Sequence, residues 1–190
     1  MNEKYRPTTE DFRKELERME KKSKYIKMLR STLYILLSVA AMVVLVATLW
    51  LPILEVTGNS MEPNLSSGDI IVSVKNAEME QGDVVAFYYN NKILLKRVIG
   101  TPGDEVTIEM DGTTSVNGVE LEEAYVTDKS LGESDLEYPY QVPDSEVFVM
   151  GDHRSTSIDS RLSSVGTIPK EYIVGKVYFR IWPLNKIGGF

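Results

Sequence analysis

Residues 84–99, VVAFYYNNKILLKRVI, read as two extended runs joined by a two-residue turn. Valine, isoleucine, phenylalanine and tyrosine crowd both runs, and such side chains suit a pleated backbone. Asn90-Asn91 between them suits a tight hairpin, because asparagine tolerates the left-handed turn conformation. In the second run, 93–99, alternation places Leu94, Lys96 and Val98 on one face. The same signature continues outward, with runs at 70–74, 105–110, 114–121, 147–150 and 172–182. Asp111-Gly112, Asn117-Gly118 and the Gly-Asp pairs at 68–69, 82–83, 103–104 and 151–152 punctuate them as turns. No helical period of useful length interrupts residues 52–190, which predicts a mainly β fold, an antiparallel sandwich or barrel-like domain. Residues 124–145 are polar and contain proline, and read as a long loop or small insertion.

Upstream the pattern changes completely. Residues 31–51, STLYILLSVAAMVVLVATLWL, hold no charge over 21 positions. A helix of that length rises roughly 30 Å, the thickness of a bilayer's hydrocarbon core. Trp50 suits the interface and Pro52 marks a stop. A chain of 190 residues is too small to bury so long a helix that is apolar all round. One N-terminal transmembrane helix is therefore expected. Lys21, Lys22, Lys24, Lys27 and Arg30 crowd its near side, and only Glu55 and Glu62 follow closely on the far side. Positive residues stay inside, so the expected topology is single-pass in the cell membrane. Residues 1–30 form a cytoplasmic, partly helical segment, and 52–190 lie extracytoplasmic. Phe12, Leu16 and Met19 recur at helical spacing, and Thr8 with Asp11 resembles a capping box.

Charge narrows the function further. Residues 1–30 carry net +4, whereas 52–190 carry 11 basic against 22 acidic residues, net −11. Phosphate backbones need a basic surface, so no nucleic-acid partner is expected. Without cysteine and with one histidine, His153, the chain lacks thiolate nucleophiles and the ligands of a zinc site.

Three segments carry candidate chemistry. They are Gly58-Asn59-Ser60-Met61-Glu62-Pro63-Asn64-Leu65, Leu95-Lys96-Arg97-Val98-Ile99-Gly100-Thr101-Pro102-Gly103-Asp104, and residues 151–161, GDHRSTSIDSR. A lone serine after Gly-Asn is an ordinary turn residue, and a lone lysine late in a strand an ordinary edge residue. Together, in this order behind an apolar span, they resemble the boxes of type I signal peptidases. The likeness runs from 31 to about 182 in the patterns G-x-S-M-x-P-x-L, K-R-V-I-G-x-P-G-D and G-D-x-R-x-x-S-x-D-S-R. The short length and Gly58 are similar to the Gram-positive branch.

The resemblance implies a serine endopeptidase with Ser60 as nucleophile and Lys96 as general base. Elementary chemistry agrees, because a serine hydroxyl attacks only when a neighbouring base takes its proton. Lysine is such a base only when neutral, which requires apolar surroundings. Ile93, Leu94, Leu95, Val98 and Ile99 supply them. By the same resemblance Ser157 orients Lys96, Asp159 and Arg161 pair across one strand face to support the site, and Asp152 and Arg97 add structural support. The oxyanion hole is expected to use the Ser60 backbone N–H, with Gly58 as the other candidate. Substrate is expected in shallow apolar pockets that accept alanine-like side chains one and three residues before the cut. Val56, Thr57, Gly58 and Met61 would form one wall, an edge strand near 56–58, and Leu94 and Leu95 the other. Implied partners are secretory preproteins bearing signal peptides, the lipid bilayer and the secretion machinery; no cofactor or metal is implied.

Ser60 lies nine residues past Leu51, so an extended tether of about 30 Å bounds its height above the bilayer. A signal peptide is cut just beyond its apolar segment, so tether and substrate geometry agree. His153 stands where the family usually has asparagine, and Asn64 where it usually has threonine. His153 opens a Ser-His-Asp alternative using Asp152 or Asp159, against which the intact lysine box weighs; otherwise it is a polar loop residue that keeps a hydrogen bond. Self-cleaving regulators of the LexA type use a similar dyad, but they are soluble and bind DNA. A binding domain with inert motifs is the remaining alternative, and the intact reactive positions argue against it.

Overall fold

The computed structural model describes residues 9–189, so the Thr8–Asp11 capping pattern falls outside the described residues. Two compact units divide at Ala47/Thr48.

Helix α1 spans Thr9–Trp50. Neither proline nor glycine interrupts it, and Pro52 follows its end, where the missing N–H and the ring preclude further helix. Residues 9–30 and 31–50 form one continuous helix, so the charged leader prolongs the apolar stretch. Within that stretch the hydroxyls of Thr32 and Ser38 donate back to the carbonyls of Met28 and Tyr34, at 3.0 and 2.8 Å. Satisfying hydroxyls inside the helix is what a lipid environment demands. Phe12–Trp50 is the one helix among the described residues long and apolar enough to cross a membrane, and its most apolar window is entirely exposed.

The second unit is built from eleven strands. They are β1 Ile53–Glu55, β2 Ile70–Val74, β3 Val84–Tyr89, β4 Lys92–Gly100, β5 Glu105–Ile108, β6 Thr114–Val116, β7 Val119–Glu120, β8 Tyr140–Gln141, β9 Glu146–Met150, β10 Ile168–Pro169 and β11 Ile173–Trp182. Seven form one sheet in the order β1-β2-β11-β3-β4-β9-β10, and four a second in the order β7-β6-β5-β8. Every pairing is antiparallel. The expected mainly β class with one long apolar N-terminal helix is what the chain adopts.

Most runs read from the sequence appear within a residue or two. The run at 114–121 is instead two strands, because Asn117 and Gly118 take φ of 53° and 76° and fold β6 back on β7. Asn90 and Asn91, at φ of 44° and 62°, do the same between β3 and β4. Positive φ at both central residues defines the hairpin turn whose twist matches paired strands. The very short β1, β8 and β10 were not expected. Residues 124–145 hold little regular structure beyond β8 and are largely exposed, but a few apolar side chains anchor them. Leu131, Leu136, Tyr138 and Tyr140 lie against Ile99, Val106, Val142, Phe148 and Met150.

Strand β4 positions the site. Residues 92–97 of it pair with β3, from Tyr89 opposite Lys92 to Val84 opposite Arg97. On its other side β9 covers only Arg97, Val98 and Gly100. Residues 92–96 therefore keep a free edge. β1 pairs only with β2 and also presents an open edge.

Candidate active site

Ser60 sits in the loop between β1 and β2. That loop is pinned at its base by Val56 N–H to Asp69 O at 2.8 Å and Gly68 N–H to Val56 O at 2.9 Å. Met61 and Leu65 plug it into a core with Val56, Ile71, Val84 and Val177. Alternating with these buried positions, Ser60 is half-buried and turned toward β4. Its carbonyl accepts the N–H of His153 at 3.1 Å, and among the described residues its own N–H donates no hydrogen bond. Gly58 takes φ of +88°, a conformation that favours glycine, and it offers no side-chain donor.

Lys96 is only 2% exposed. Its Nζ donates to Ser60 Oγ at 2.7 Å. Burial lowers its pKa from 10.5 to about 8; Asp159 and Asp152 pull it back up, and Arg161 pushes it further down. Four basic side chains are buried among the described residues: Lys96, Arg97, Arg154 and Arg161. Each arginine has its own carboxylate. Arg97 grips Asp152 with Nε and Nη2 at 2.8 and 2.7 Å. Arg161 grips Asp159 at 2.8 and 2.9 Å, and Arg154 holds Glu123. Lys96 alone has no ion pair. A buried ammonium without a counterion is the arrangement that yields a neutral amine.

The segment 151–161 leaves β9 and packs beside the dyad. Asp159 and Arg161 pair as expected, but within a turn rather than on a strand face. The expected hydrogen bond from Ser157 to Lys96 is not made: its buried Oγ has no partner among the described residues. It lies against Gly151, where an added Cβ would run into Ser157 Oγ and would meet Ser60 O at 2.5 Å. Glycine is thus required there so that the two serines approach. His153 keeps a hydrogen bond through its backbone N–H to Ser60 O, while its buried Nδ1 makes none among the described residues. The carboxylates of Asp152 and Asp159 are taken up by arginines, which leaves His153 without the acid a Ser-His-Asp arrangement needs.

A cleft of about 330 Å³ opens beside Ser60, and all six residues expected to touch substrate line it: Val56, Thr57, Gly58, Met61, Leu94 and Leu95. The edge strand of this wall is β1 at Ile53–Glu55, with 56–58 continuing beyond it rather than forming a strand. A second depression, about 360 Å³, reaches both Ser60 and Lys96 and is bordered by Tyr89, Thr156 and Ile158. Sequence reasoning missed the Arg154–Glu123 pair. Arg154 stands inside a quoted motif, but nothing near Glu123 marks its partner.

Comparison with known proteins bears directly on this arrangement. The model of the family described as "Signal peptidase, peptidase S26" matches residues 28–182. The chain belongs to the signal peptidase family. Members of that family are serine endopeptidases that remove signal peptides. Among curated relatives, a probable signal peptidase I-2 of Synechocystis is 33% identical over 70% of this chain and 64% of its own length. Signal peptidase IB of Staphylococcus aureus is 37% identical over 69% of this chain and 78% of its own length. This chain therefore spans just under two thirds of the first and over three quarters of the second. A solved signal peptidase I from Enterococcus faecalis aligns at 29% identity with a TM-score of 0.43, over 53% of this chain and 97% of that one. Within the family match lie β1 to β11, both clefts and the Ser60–Lys96 contact. Among the described residues no cluster of His, Asp and Glu is arranged to hold a metal ion.

Proposed function

We propose that this chain is a membrane-bound signal peptidase I that cuts secretory preproteins through an acyl-enzyme on Ser60, with Lys96 as general base. The observation that carries the reading is the 2.7 Å contact between Ser60 Oγ and the buried, unpaired amine of Lys96. In its neutral form the amine takes the hydroxyl proton while Oγ attacks the scissile carbonyl carbon. The resulting oxyanion is stabilised by the Ser60 N–H, whose hydrogen-bonding capacity is unspent. Collapse breaks the C–N bond, the Lys96 ammonium returns its proton to the leaving amine, and the signal peptide remains as an ester. Lys96 then takes a proton from water, the hydroxide attacks the ester, and Oγ regains the proton as the signal peptide leaves with a free carboxyl end.

Substrate geometry follows from the two free strand edges. An extended segment laid between residues 54–58 and 92–95 would extend the sheet and present alternate side chains to the 330 Å³ cleft. Ser157, with its uncommitted hydroxyl, is read as the group that receives the Lys96 N–H once Ser60 is acylated. Asp159, Arg161, Arg97 and Asp152 hold the surrounding loops. The domain reading places residues 1–30 in the cytoplasm, 31–51 in the bilayer and 52–190 outside, on the strength of the basic cluster from Lys21 to Arg30. Contact with the secretion machinery fits a site that meets substrate at the membrane.

The test is cleavage of a preprotein by the detergent-solubilised chain beside its Ser60→Ala and Lys96→Ala variants. The wild type should release the signal peptide and both variants should leave the preprotein whole; an uncut preprotein, or a variant as fast as wild type, overturns the reading.

A further inference from the structure

Asn64 has an amide with two commitments. Its Nδ2 donates to Asp152 Oδ2 and to the carbonyl oxygen of Tyr125, both at 2.8 Å. A threonine hydroxyl, with one proton, would serve only one of these acceptors. Tyr125 belongs to the loop that leaves β7, 61 positions along the chain from Asn64. Its ring lies over the Arg97 guanidinium, 4.1 Å from centroid to Cζ. That guanidinium in turn grips Asp152 with two hydrogen bonds. The Tyr125 hydroxyl donates to Glu123, the partner of buried Arg154.

These contacts close a circuit: Asn64 to Asp152, Asp152 to Arg97, Arg97 to Tyr125, and Tyr125 back to Asn64. Four separate segments meet in it. Asn64 lies on the loop that carries Ser60, and Arg97 adjoins Lys96 on β4. The other two members come from the loop after β9 and from the second sheet's side of the domain.

We propose that Asn64 and Tyr125 are positioning residues that latch the loop leaving β7 over the Arg97–Asp152 pair and so hold Ser60 and Lys96 in register. Neither touches the reacting atoms, and the proposal rests on the dyad reading above. Lys96 is faced by Asp152, Asp159 and Arg161 from the 151–161 segment and by Ser60 from the nucleophile loop, with Arg97 beside it on its own strand. Opening the latch acts on this environment in two ways with one sign. Water gains access to the amine, which weakens the burial that lowers its pKa. Asp152 is also less fully neutralised by Arg97, and its charge favours the ammonium. Both effects return Lys96 toward an ordinary lysine and leave less neutral base near pH 7.

The experiment measures preprotein cleavage by the full chain in detergent across the neutral and alkaline range. Asn64→Ala and Tyr125→Ala should each cut roughly tenfold more slowly at neutral pH. Their rising limbs should lie higher than that of wild type by about half a unit or more. Asn64→Thr, keeping one donor, should fall between, and Tyr125→Phe, keeping ring and carbonyl, should stay near wild type. The doubly substituted Asn64→Ala/Tyr125→Ala chain should be little worse than the slower single variant, as expected of members of one circuit. A second readout needs no turnover: acetic anhydride labelling of Lys96 against pH, followed by peptide mass. Limbs and labelling that stay unmoved in both alanine variants overturn the latch, even if thermal melts show lost stability. A wild type whose Lys96 labels as a depressed amine, with labelling displaced in the variants, supports the latch even if no preprotein is cut; that failure would fall on the dyad reading alone.

Discussion

Residues 92–96 and 97–100 of β4 share one strand, with β3 paired along the first and as far as Arg97 in the second, and differ in what lies on the other side. The first half has a free edge there and passes from exposed at Lys92 to buried at Lys96; the second is capped by β9 and buried throughout. Lys96 and Arg97 stand either side of that junction, both buried and both basic. Arg97 donates to both oxygens of a carboxylate and makes a third bond to Gly82 O. Lys96 meets only a hydroxyl. Enclosure alone therefore does not decide the state of a buried cation; the partner does. A guanidinium suits the paired position because it does not lose its proton, and an amine suits the open one because it does.

Lys96→Met should bring the largest change. Cleavage should fall by about 10⁴-fold or more, the scale seen when one member of a coupled nucleophile–base unit is removed. The fold should not suffer. A lysine lowered from 10.5 to about 8 binds its proton less well folded than unfolded, so below about pH 8 the folded chain carries a strained ammonium. Removing it should stabilise the protein at neutral pH by about 3 kcal/mol. That gain should fade as pH rises from 8 toward 10.5, which melts at several pH values would read.

Across the junction the sign reverses. Asp152→Ala leaves the Arg97 guanidinium buried without its acid, and denaturant melts should show a loss of roughly 3–5 kcal/mol. Gly100→Ala places a Cβ 2.7 Å from Val106 Cγ2 and 3.0 Å from Val142 Cγ2. Overpacking of that kind costs about 1–3 kcal/mol, while the protein that remains folded should cut at the wild-type rate. Leu94→Ala, back in the open half, should have the smallest effect. Widening a cleft by a few methylenes should change kcat/KM roughly threefold to tenfold between preproteins with small and larger residues before the cut. Equal sensitivity of both halves in melts and cleavage would remove the contrast.

Much of this was legible in the sequence. The β-branched runs and the Asn-Asn and Asn-Gly turns mark strands and hairpins, because turn chemistry and alternation are local. The 31–51 stretch announces a helix by charge alone. Ser60 and Lys96 emerge from motifs whose order, not composition, is informative. What stayed hidden is non-local. β1, β8 and β10 have only two or three residues and exist through their partners, so no periodicity betrays them. The two-handed bond of Asn64 to Tyr125 and Asp152 joins residues far apart in the chain, and only the folded packing brings them together. Ser157 was visible as a motif residue, but a motif does not reveal which way a hydroxyl turns.

At the centre of the account stands Lys96, its pKa lowered by burial, as the proposed base for Ser60. Its most direct test is the pH dependence of kcat/KM for preprotein cleavage, compared in wild type, Lys96→Ala and His153→Ala. A limb that rises through about pH 8 in wild type and in His153→Ala, with no measurable cleavage by Lys96→Ala, is the predicted result. A limb near about 6.5 that disappears in His153→Ala, or a Lys96→Ala variant that keeps the wild-type profile, would contradict it.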